Sequence, residues 1–249
     1  MISTLASRRA PTLPAATTAV EAVVEALLAG ILRGDFPSGT RLPAERELSK
    51  LLGASRPTLR EALRRLGEWN LVEPRRGSGI VVRAQREWTI EVLPAFLRYG
   101  APTAGMTIPS LLGDLLALRR VLLADIVRLI APRMPKGGTI TARAQLAKAW
   151  AARALPREFV REDFLVMRAV VEASGFLPAV WMLNRMAGVY LEIAAVVTVR
   201  VPDDYVTAST SYLDALERGD GDQAASLVGA YLDRHDAAMN GLFSSEATR

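Results

Sequence analysis

The chain has 249 residues, of which 50% are hydrophobic and 6% aromatic, and its formal net charge is +5. This length favours two domains, and the alanine- and leucine-rich composition favours helical cores. The absence of cysteine excludes disulfides, thiolate metal sites and cysteine nucleophiles. No apolar run reaches the ~18 uncharged residues of a membrane span, so we expect a cytoplasmic protein with no membrane partner.

An arm followed by a helix is predicted at the N-terminus. Residues 1–16 hold two arginines, two prolines and no acidic residue, which favours a disordered arm over a targeting peptide. From residue 17 to Leu32, apolar residues recur at three- and four-residue spacing, the pattern of an amphipathic helix. Glycines and a proline in residues 34–39 then end that helix.

Residues 41–83 predict a helix, a turn, a basic helix and a hairpin, in the sequence RLPAERELSKLLGASRPTLREALRRLGEWNLVEPRRGSGIVVR. The leucines of residues 44–52 have the spacing of a short amphipathic helix, which Gly53 ends as a left-handed residue. The Ser55 hydroxyl can cap a second helix over residues 57–69, which has one apolar and one basic face.

The second helix carries arginines where a recognition helix enters the major groove. Arg56, Thr58 and Arg60 lie in its first turn and a half, and Arg64 lies further back. A guanidinium group can bond both acceptors on a guanine edge, and it can equally reach a phosphate. The pattern therefore predicts a reader of duplex DNA.

A basic hairpin is predicted directly after this helix. Strands over residues 71–75 and 79–82 flank an Arg-Gly-Ser turn, which places Arg75 and Arg76 near phosphates or a minor groove. The alternative is a solvated basic helix followed by an unrelated hairpin. It is disfavoured because the helices, turn, cap and hairpin occur in the order of a winged helix-turn-helix without gaps.

The excess positive charge lies entirely in this N-terminal part. Residues 1–84 hold 13 Lys and Arg against 8 Asp and Glu, whereas residues 85–249 hold 18 of each. Only the first domain is therefore expected to meet phosphate.

Residues 17–84 resemble the winged helix-turn-helix of the GntR transcription factors, through the motif GTRLPAERELSKLLGASRPTLREALRRL. The resemblance implies a homodimer that binds palindromic operator DNA and regulates transcription. By matching positions, it implies operator contacts by Arg46, Arg56, Thr58, Arg60 and Gly77. Further candidates for operator contacts, chosen by their positions in the second helix and the hairpin, are Ser55, Arg64, Arg75 and Arg76.

Residues 85–107 are predicted to link the two domains. A helix over residues 87–99 would carry Trp88 and Phe96, which we interpret as packing residues that join the domains. A glycine- and proline-containing stretch after this helix breaks it.

Residues 108–243 are predicted to form an all-α antiparallel bundle, so the fold class is mainly α, with a three-helix, two-stranded winged helix-turn-helix before the bundle. Residues 244–249 are predicted to be a tail. Breaks at prolines, glycines and polar turns give six helices, at residues 109–131, 140–154, 157–174, 177–199, 205–218 and 221–243.

The bundle resembles the effector-binding and dimerisation domain of the FadR branch of the same family. The resemblance rests on EDFLVMRAVVEASGFLPAVWMLNRMAGVY, residues 162–190. It implies a small effector, which in that branch is long-chain acyl-CoA, although apolar helical positions are more often core than ligand wall. The candidate effector residues are Arg119, Met167, Val170, Trp181, Met186, Tyr190, Tyr212, Tyr231 and His235, with Val171 and Met182 as further cavity residues.

Most members of the wider FCD group hold a divalent metal through one aspartate and three histidines in this bundle. The matching positions here are Asp163, Met167, Ser209 and Tyr231. A thioether, a hydroxyl and a phenol do not replace three histidines as ligands. We therefore expect no metal and no other cofactor, and we interpret the single His235 as a polar helix or lining residue.

Other functions remain open on the sequence. A regulator that senses a small carboxylate or sugar acid is disfavoured by the missing histidines, since that group holds such acids through the metal. A DNA binder without any ligand is a further alternative. An enzyme is disfavoured, because the adjacent acids at residues 162–163 and 203–204 occur with one histidine and no nucleophile motif.

Overall fold

The computed structural model describes residues 18–77, 79–100, 107–194 and 201–246, with the backbone alone at residue 194 and at 237–246. The chain divides into two compact units, Met1–Ala101 and Pro102–Arg249. The predicted N-terminal arm lies outside the described residues. In the described ranges, no helix is long and apolar enough to cross a membrane.

The first unit is a winged helix-turn-helix, and the predicted helices, turn and hairpin are confirmed. The described elements are α1 (Ala19–Leu32), α2 (Glu45–Leu52), α3 (Arg56–Glu68), β1 (Val72–Arg75), β2 (Gly79–Val82) and α4 (Leu93–Tyr99).

Helix α1 begins at a reciprocal cap and forms the centre of this unit. The Thr18 hydroxyl accepts a hydrogen bond from the Glu21 amide at 3.2 Å, and the Glu21 carboxylate accepts one from the Thr18 amide at 2.8 Å. The buried face of α1 packs against α3. Leu27, Leu59 and Leu66 have 1%, 0% and 0% of their surface exposed, and burial of each leucine contributes ~1.5–3 kcal/mol.

The wing has a third segment that the sequence patterns did not predict. Strands β1 and β2 pair antiparallel, with Val72 opposite Val82. The Leu42 amide also donates to the Ile80 carbonyl, and the Val82 amide donates to the Thr40 carbonyl, both at 2.9 Å. The wing is therefore tied to the chain before α2 as well as to α3.

The helix predicted over residues 87–99 begins later than expected. Residues 85–87 and 90–92 form short 3₁₀ turns, and the α-helix begins only at Leu93, where the following proline favours a helix start. Helix α4 belongs to the first unit and packs on α1. The Tyr99 hydroxyl donates to the Glu25 carboxylate of α1, and Phe96 is buried. Phe96 therefore packs within the first unit, and its role in joining the two domains stays a prediction.

The second unit is a helical bundle, as predicted. Its described helices are α5 (Ile108–Ile130), α6 (Ile140–Ala151), α7 (Pro156–Ala173), α8 (Leu177–Ala194), α9 (Tyr205–Glu217) and α10 (Gly221–Glu246). Helix α10 packs on both α5 and α9, and α7 packs on both α6 and α8. The last residues predicted for α8 lie outside the described ranges, and α10 extends into the predicted tail.

We expect a fragment that ends at residue 84 to be less stable than one that ends at residue 100. Loss of α4 uncovers α1 and removes the buried Phe96 side chain, which costs ~3–5 kcal/mol by analogy with core Phe→Ala substitutions. Denaturant unfolding of the two fragments measures the difference. Phe96→Ala in the longer fragment is the control and should reproduce most of the loss, whereas equal stabilities would show that α4 is a free linker.

Candidate functional site

The turn between α2 and α3 sets the point and the direction in which α3 begins. Gly53 has φ of 61°, a left-handed conformation that favours glycine and ends α2. The Ser55 hydroxyl accepts a hydrogen bond from the Thr58 amide at 3.3 Å and lies 2.8 Å from the Thr58 hydroxyl. Ser55 therefore caps α3, and both candidate hydroxyls are engaged with each other at the helix start.

The outward face of α3 is a row of arginines. Its buried residues are Leu59, Ala62, Leu63 and Leu66. Arg56, Arg60 and Arg64 are four residues apart and exposed, as expected for one face of a helix. The structure thus brings the three predicted arginines of α3 together on the solvent side.

The candidate cations differ in their partners. Arg46, Arg56 and Arg76 are exposed and form no ion pair with any other described residue. Arg60 donates through Nε to Glu45 Oε2 at 2.9 Å, and Arg75 donates through Nε to the Glu73 carboxylate at 2.6 Å. An anionic ligand would therefore displace no described carboxylate from Arg46, Arg56 or Arg76.

Arg64 is the most heavily engaged of these cations. Its Nε and Nη2 donate to the two carboxylate oxygens of Glu61 at 2.9 and 2.7 Å, and its Nη1 donates to Glu68. These hydrogen bonds to Arg64 lower the pKa of Glu61 to about 2. All three guanidinium nitrogens of Arg64 already have carboxylate acceptors, so an anionic ligand would have to compete for them.

The tip of the wing is open. Gly77 has φ of 74°, and among the described residues, apart from its chain neighbours, no heavy atom lies within 4 Å of the position that a Cβ would take. A backbone without a side chain at this tip allows close approach to a ligand.

An exposed arginine that the sequence patterns did not single out lies on the wing. A Cβ at Gly79 would come within 2.7 Å of the Arg41 Nε atom, so Arg41 packs beside the turn end of the hairpin, where Arg75 pairs with Gly79. The Gly79 conformation, with φ of 76°, also favours glycine. Only its place between two motif residues, Gly39 and Leu42, could have suggested that Arg41 belongs to this surface.

A buried polar cluster lies between α5 and α10 in the second unit. Arg119 Nη2 donates to Asp236 Oδ1 at 2.7 Å, and the side chain of Asp236 is 6% exposed. Arg119 Nε, His235 Nδ1 and Asp236 Oδ2 are buried and have no hydrogen-bond partner among the described residues. An unsatisfied buried polar atom costs ~1–3 kcal/mol, so this cluster favours a polar ligand or water.

A second polar group lies at Asp163, the residue that matches the metal-binding aspartate of the FCD group. The Tyr205 hydroxyl donates to Asp163 Oδ1 at 2.7 Å. Burial raises the pKa of Asp163, and burial also raises the pKa of Tyr190 to about 12 and that of Tyr212 further. The tyrosines around Asp163 are therefore neutral hydrogen-bonding groups at physiological pH.

The residues at the FCD metal position do not fit a divalent metal. Asp163 is the one carboxylate among the four matching positions, and its Oδ1 already accepts from Tyr205. Ser209 is buried, whereas Met167 and Tyr231 are half-buried against the core. Among the described residues, no three His, Asp or Glu side chains are grouped as metal ligands.

The remaining effector candidates are only partly brought together. The Tyr231 and His235 rings are 6.2 Å apart, and Tyr190 packs on Phe164 with ring centroids 5.5 Å apart. Tyr212 and Met186 are half-buried. Three of the candidates, Tyr190, Tyr231 and His235, therefore lie near the polar cluster. Burial raises the pKa values of the two tyrosines, and Arg119 partly offsets this rise.

Four of the residues named for the wall of an apolar cavity lie in two different environments, and their role in effector binding stays a prediction. Trp181 is 66% exposed and Met182 is 37% exposed, so both face solvent in this chain. Val170 and Val171 are fully buried within the core cluster. Helical periodicity identified these residues as apolar positions, but it does not distinguish a core, a cavity and an outer face.

We expect Arg56→Ala to weaken binding to preferred DNA more than Arg64→Ala. Arg56 has no described carboxylate partner, and loss of a base contact costs ~1–3 kcal/mol with relaxed base preference. Arg64 is held by Glu61 and Glu68, so its removal should cost less than half as much. Anisotropy titrations on preferred and random duplexes measure both. Equal losses on the two duplexes would show that Arg56 touches only phosphate.

Two family models match the chain, one to each unit. The model for bacterial regulatory proteins of the gntR family matches residues 19–82, and the model for the FCD domain matches residues 114–234. A fold relationship is seen with the solved structure of Lar, which controls expression of the Listeria monocytogenes agr system. The TM-score is 0.51 at 14% identity, covering 89% of this chain and 96% of that chain.

Curated relatives extend over both units. The fatty acid metabolism regulator proteins of Serratia proteamaculans and Yersinia enterocolitica are 30% and 31% identical to this chain, which covers 68% of each. The HTH-type transcriptional regulator Mce2R of Mycobacterium tuberculosis is 45% identical over 78 residues, so that match spans 31% of this chain and 32% of that relative. The chain belongs to the gntR family of bacterial regulatory proteins, and it is a DNA-binding transcriptional regulator with an FCD domain rather than an enzyme.

Proposed function

We propose that this regulator binds a palindromic operator as a homodimer and that long-chain acyl-CoA, bound in the second unit, releases it from DNA. The observation that carries the proposal is the exposed arginine face of α3. Arg56 and Arg60 lie at the start of that face, where a recognition helix contacts bases. Arg46 and the wing cation Arg76 add phosphate contacts on either side.

An apolar stripe on α5 supports the homodimer. Leu118, Val121, Leu122 and Leu129 are 50%, 55%, 43% and 59% exposed. Their spacing places them on one face of α5, while Ile126, Val127 and Ile130 on the other face are buried. Exposed Asp125 interrupts this stripe between Leu122 and Leu129. An exposed apolar stripe on a helix is still a typical interface, and two-fold symmetry brings the same stripe from both copies together.

The dimer supplies the geometry that a palindrome requires. Two recognition helices about one DNA turn apart, ~34 Å, read two half-sites of opposite direction. Both recognition helices must bind their half-sites at the same time, so a change in the distance between them lowers the affinity for DNA steeply.

The polar cluster supports an effector site that is coupled to the dimer. Arg119 faces α10 through its ion pair with Asp236, whereas Leu118 and Val121 lie on the exposed stripe of the same helix. An anionic effector that competes with Asp236 for Arg119 would change how α5 packs on α10. Because α5 also carries the proposed dimer face, such a change reaches the second copy.

The choice of acyl-CoA rests on two supports. Two relatives that match this chain over 68% of their length are named fatty acid metabolism regulators. The residues at the metal position do not fit a metal, which disfavours the alternative of a small carboxylate or sugar acid held through one.

Val121→Asp is expected to dissociate the dimer. A carboxylate at the centre of an apolar interface loses its hydration, which costs several kcal/mol. Light scattering should then give one chain mass, 27.0 kDa, instead of twice that mass. Ile140→Asp, at a 69% exposed apolar position of α6, is the matched control and should leave the dimer intact. A dimer that persists in Val121→Asp places the interface elsewhere.

The proposed function is tested by binding to the protein's own promoter region. Anisotropy at fixed salt should show specific binding that long-chain acyl-CoA weakens, while free coenzyme A at the same concentration should not. A shift of tenfold in affinity corresponds to a coupling free energy of ~1.4 kcal/mol. Specific binding that acyl-CoA leaves unchanged would keep the regulator and reject this effector, and the absence of specific binding would reject the operator.

A further inference from the structure

One ion pair crosses the turn between α2 and α3. Glu45 is the first residue of α2, and its Oε2 accepts a hydrogen bond from Nε of Arg60 on α3 at 2.9 Å. The side chain of Arg60 is 68% exposed and that of Glu45 is 36% exposed. The pair therefore lies on the solvent side of the two helices, at the face that carries Arg56.

This contact holds Arg60 without using its outer edge. Nη1 and Nη2 of Arg60 donate to no other described residue, whereas all three nitrogens of Arg64 donate to carboxylates. A guanidinium fixed through Nε keeps its planar fork in one orientation, with two donors left for a bidentate acceptor.

We propose that Glu45 is a positioning residue for base readout, which holds the Arg60 fork for the two acceptors of a guanine edge. The inference rests on the proposed role of α3 in reading DNA. Guanine N7 and O6 are the pair of acceptors that an arginine fork fits in the major groove. Glu45 itself touches no base, and it acts through the orientation of Arg60.

Simple electrostatics predicts the opposite effect of Glu45. A carboxylate beside the DNA-facing surface repels phosphates, so its removal should strengthen binding to every sequence. Positioning strengthens binding only where a guanine meets Arg60. The ratio of affinities for preferred and random DNA therefore separates the two roles.

The experiment compares Glu45→Ala with Glu68→Ala in the full chain, on duplexes selected by the wild-type protein and on random duplexes at one salt concentration. Both variants remove one negative charge from the first unit. We expect Glu45→Ala to lose about tenfold in the affinity ratio, the size of one base contact, with affinity for random DNA unchanged or raised. Glu68→Ala should keep the ratio, because Glu68 contacts Arg64, which Glu61 continues to hold.

Two further variants exclude a merely structural role. Glu45→Gln keeps an acceptor for Arg60 Nε and should retain more of the ratio than Glu45→Ala. In an Arg60→Ala background, Glu45→Ala should leave the ratio unchanged, because the fork that it positions is absent.

Equal gains or equal losses on both duplexes in Glu45→Ala would overturn the inference, and so would a lower unfolding midpoint that accounts for the loss. If the wild-type protein selects no sequence at all, the proposed operator binding fails instead. If the wild-type protein selects a sequence but Glu45→Ala leaves the ratio of affinities for selected and random DNA unchanged, only the role of Glu45 is rejected.

Discussion

Burial of one stripe of α3 on α1 determines where the cations of the first unit point. Leu59, Ala62 and Leu66 are fully buried, and the helical period then places Arg56 and Arg60 on the opposite side. Turning α3 about its axis would expose leucines that each contribute ~1.5–3 kcal/mol by burial. The basic surface of α3 is therefore a consequence of the core, and Gly53 and the Ser55 cap fix the point from which α3 begins.

Carboxylates then decide which of these cations are available. Glu61 and Glu68 occupy Arg64, whereas Glu45 holds Arg60 by one nitrogen only. A net positive charge attracts DNA of any sequence, but a fixed guanidinium fork distinguishes one base pair from another. In the second unit, the same kind of pair, Arg119 with Asp236, joins α5 to α10. Both units therefore contain arginines that a carboxylate on another helix holds in place.

Sequence patterns predicted the features that depend on neighbours along the chain. The helices, the left-handed Gly53 and the Ser55 cap have local signals, and each was confirmed. Contacts between distant segments had none. The three-residue edge at 40–42 is too short to show a period, and Arg119 and Asp236 are 117 residues apart. Exposed Trp181 illustrates a further limit, because an apolar helical position can belong to a core, a cavity or an interface.

In the proposed complex, two copies of α3 read bases in two half-sites of one operator. This arrangement is tested by selecting preferred duplexes from a random pool with the full chain and sequencing them. We predict enrichment of an inverted repeat whose half-site centres are about 10 base pairs apart, one turn of DNA, with a fixed guanine in each half. Enrichment of no sequence, or of a single half-site without its inverted copy, would contradict the claim.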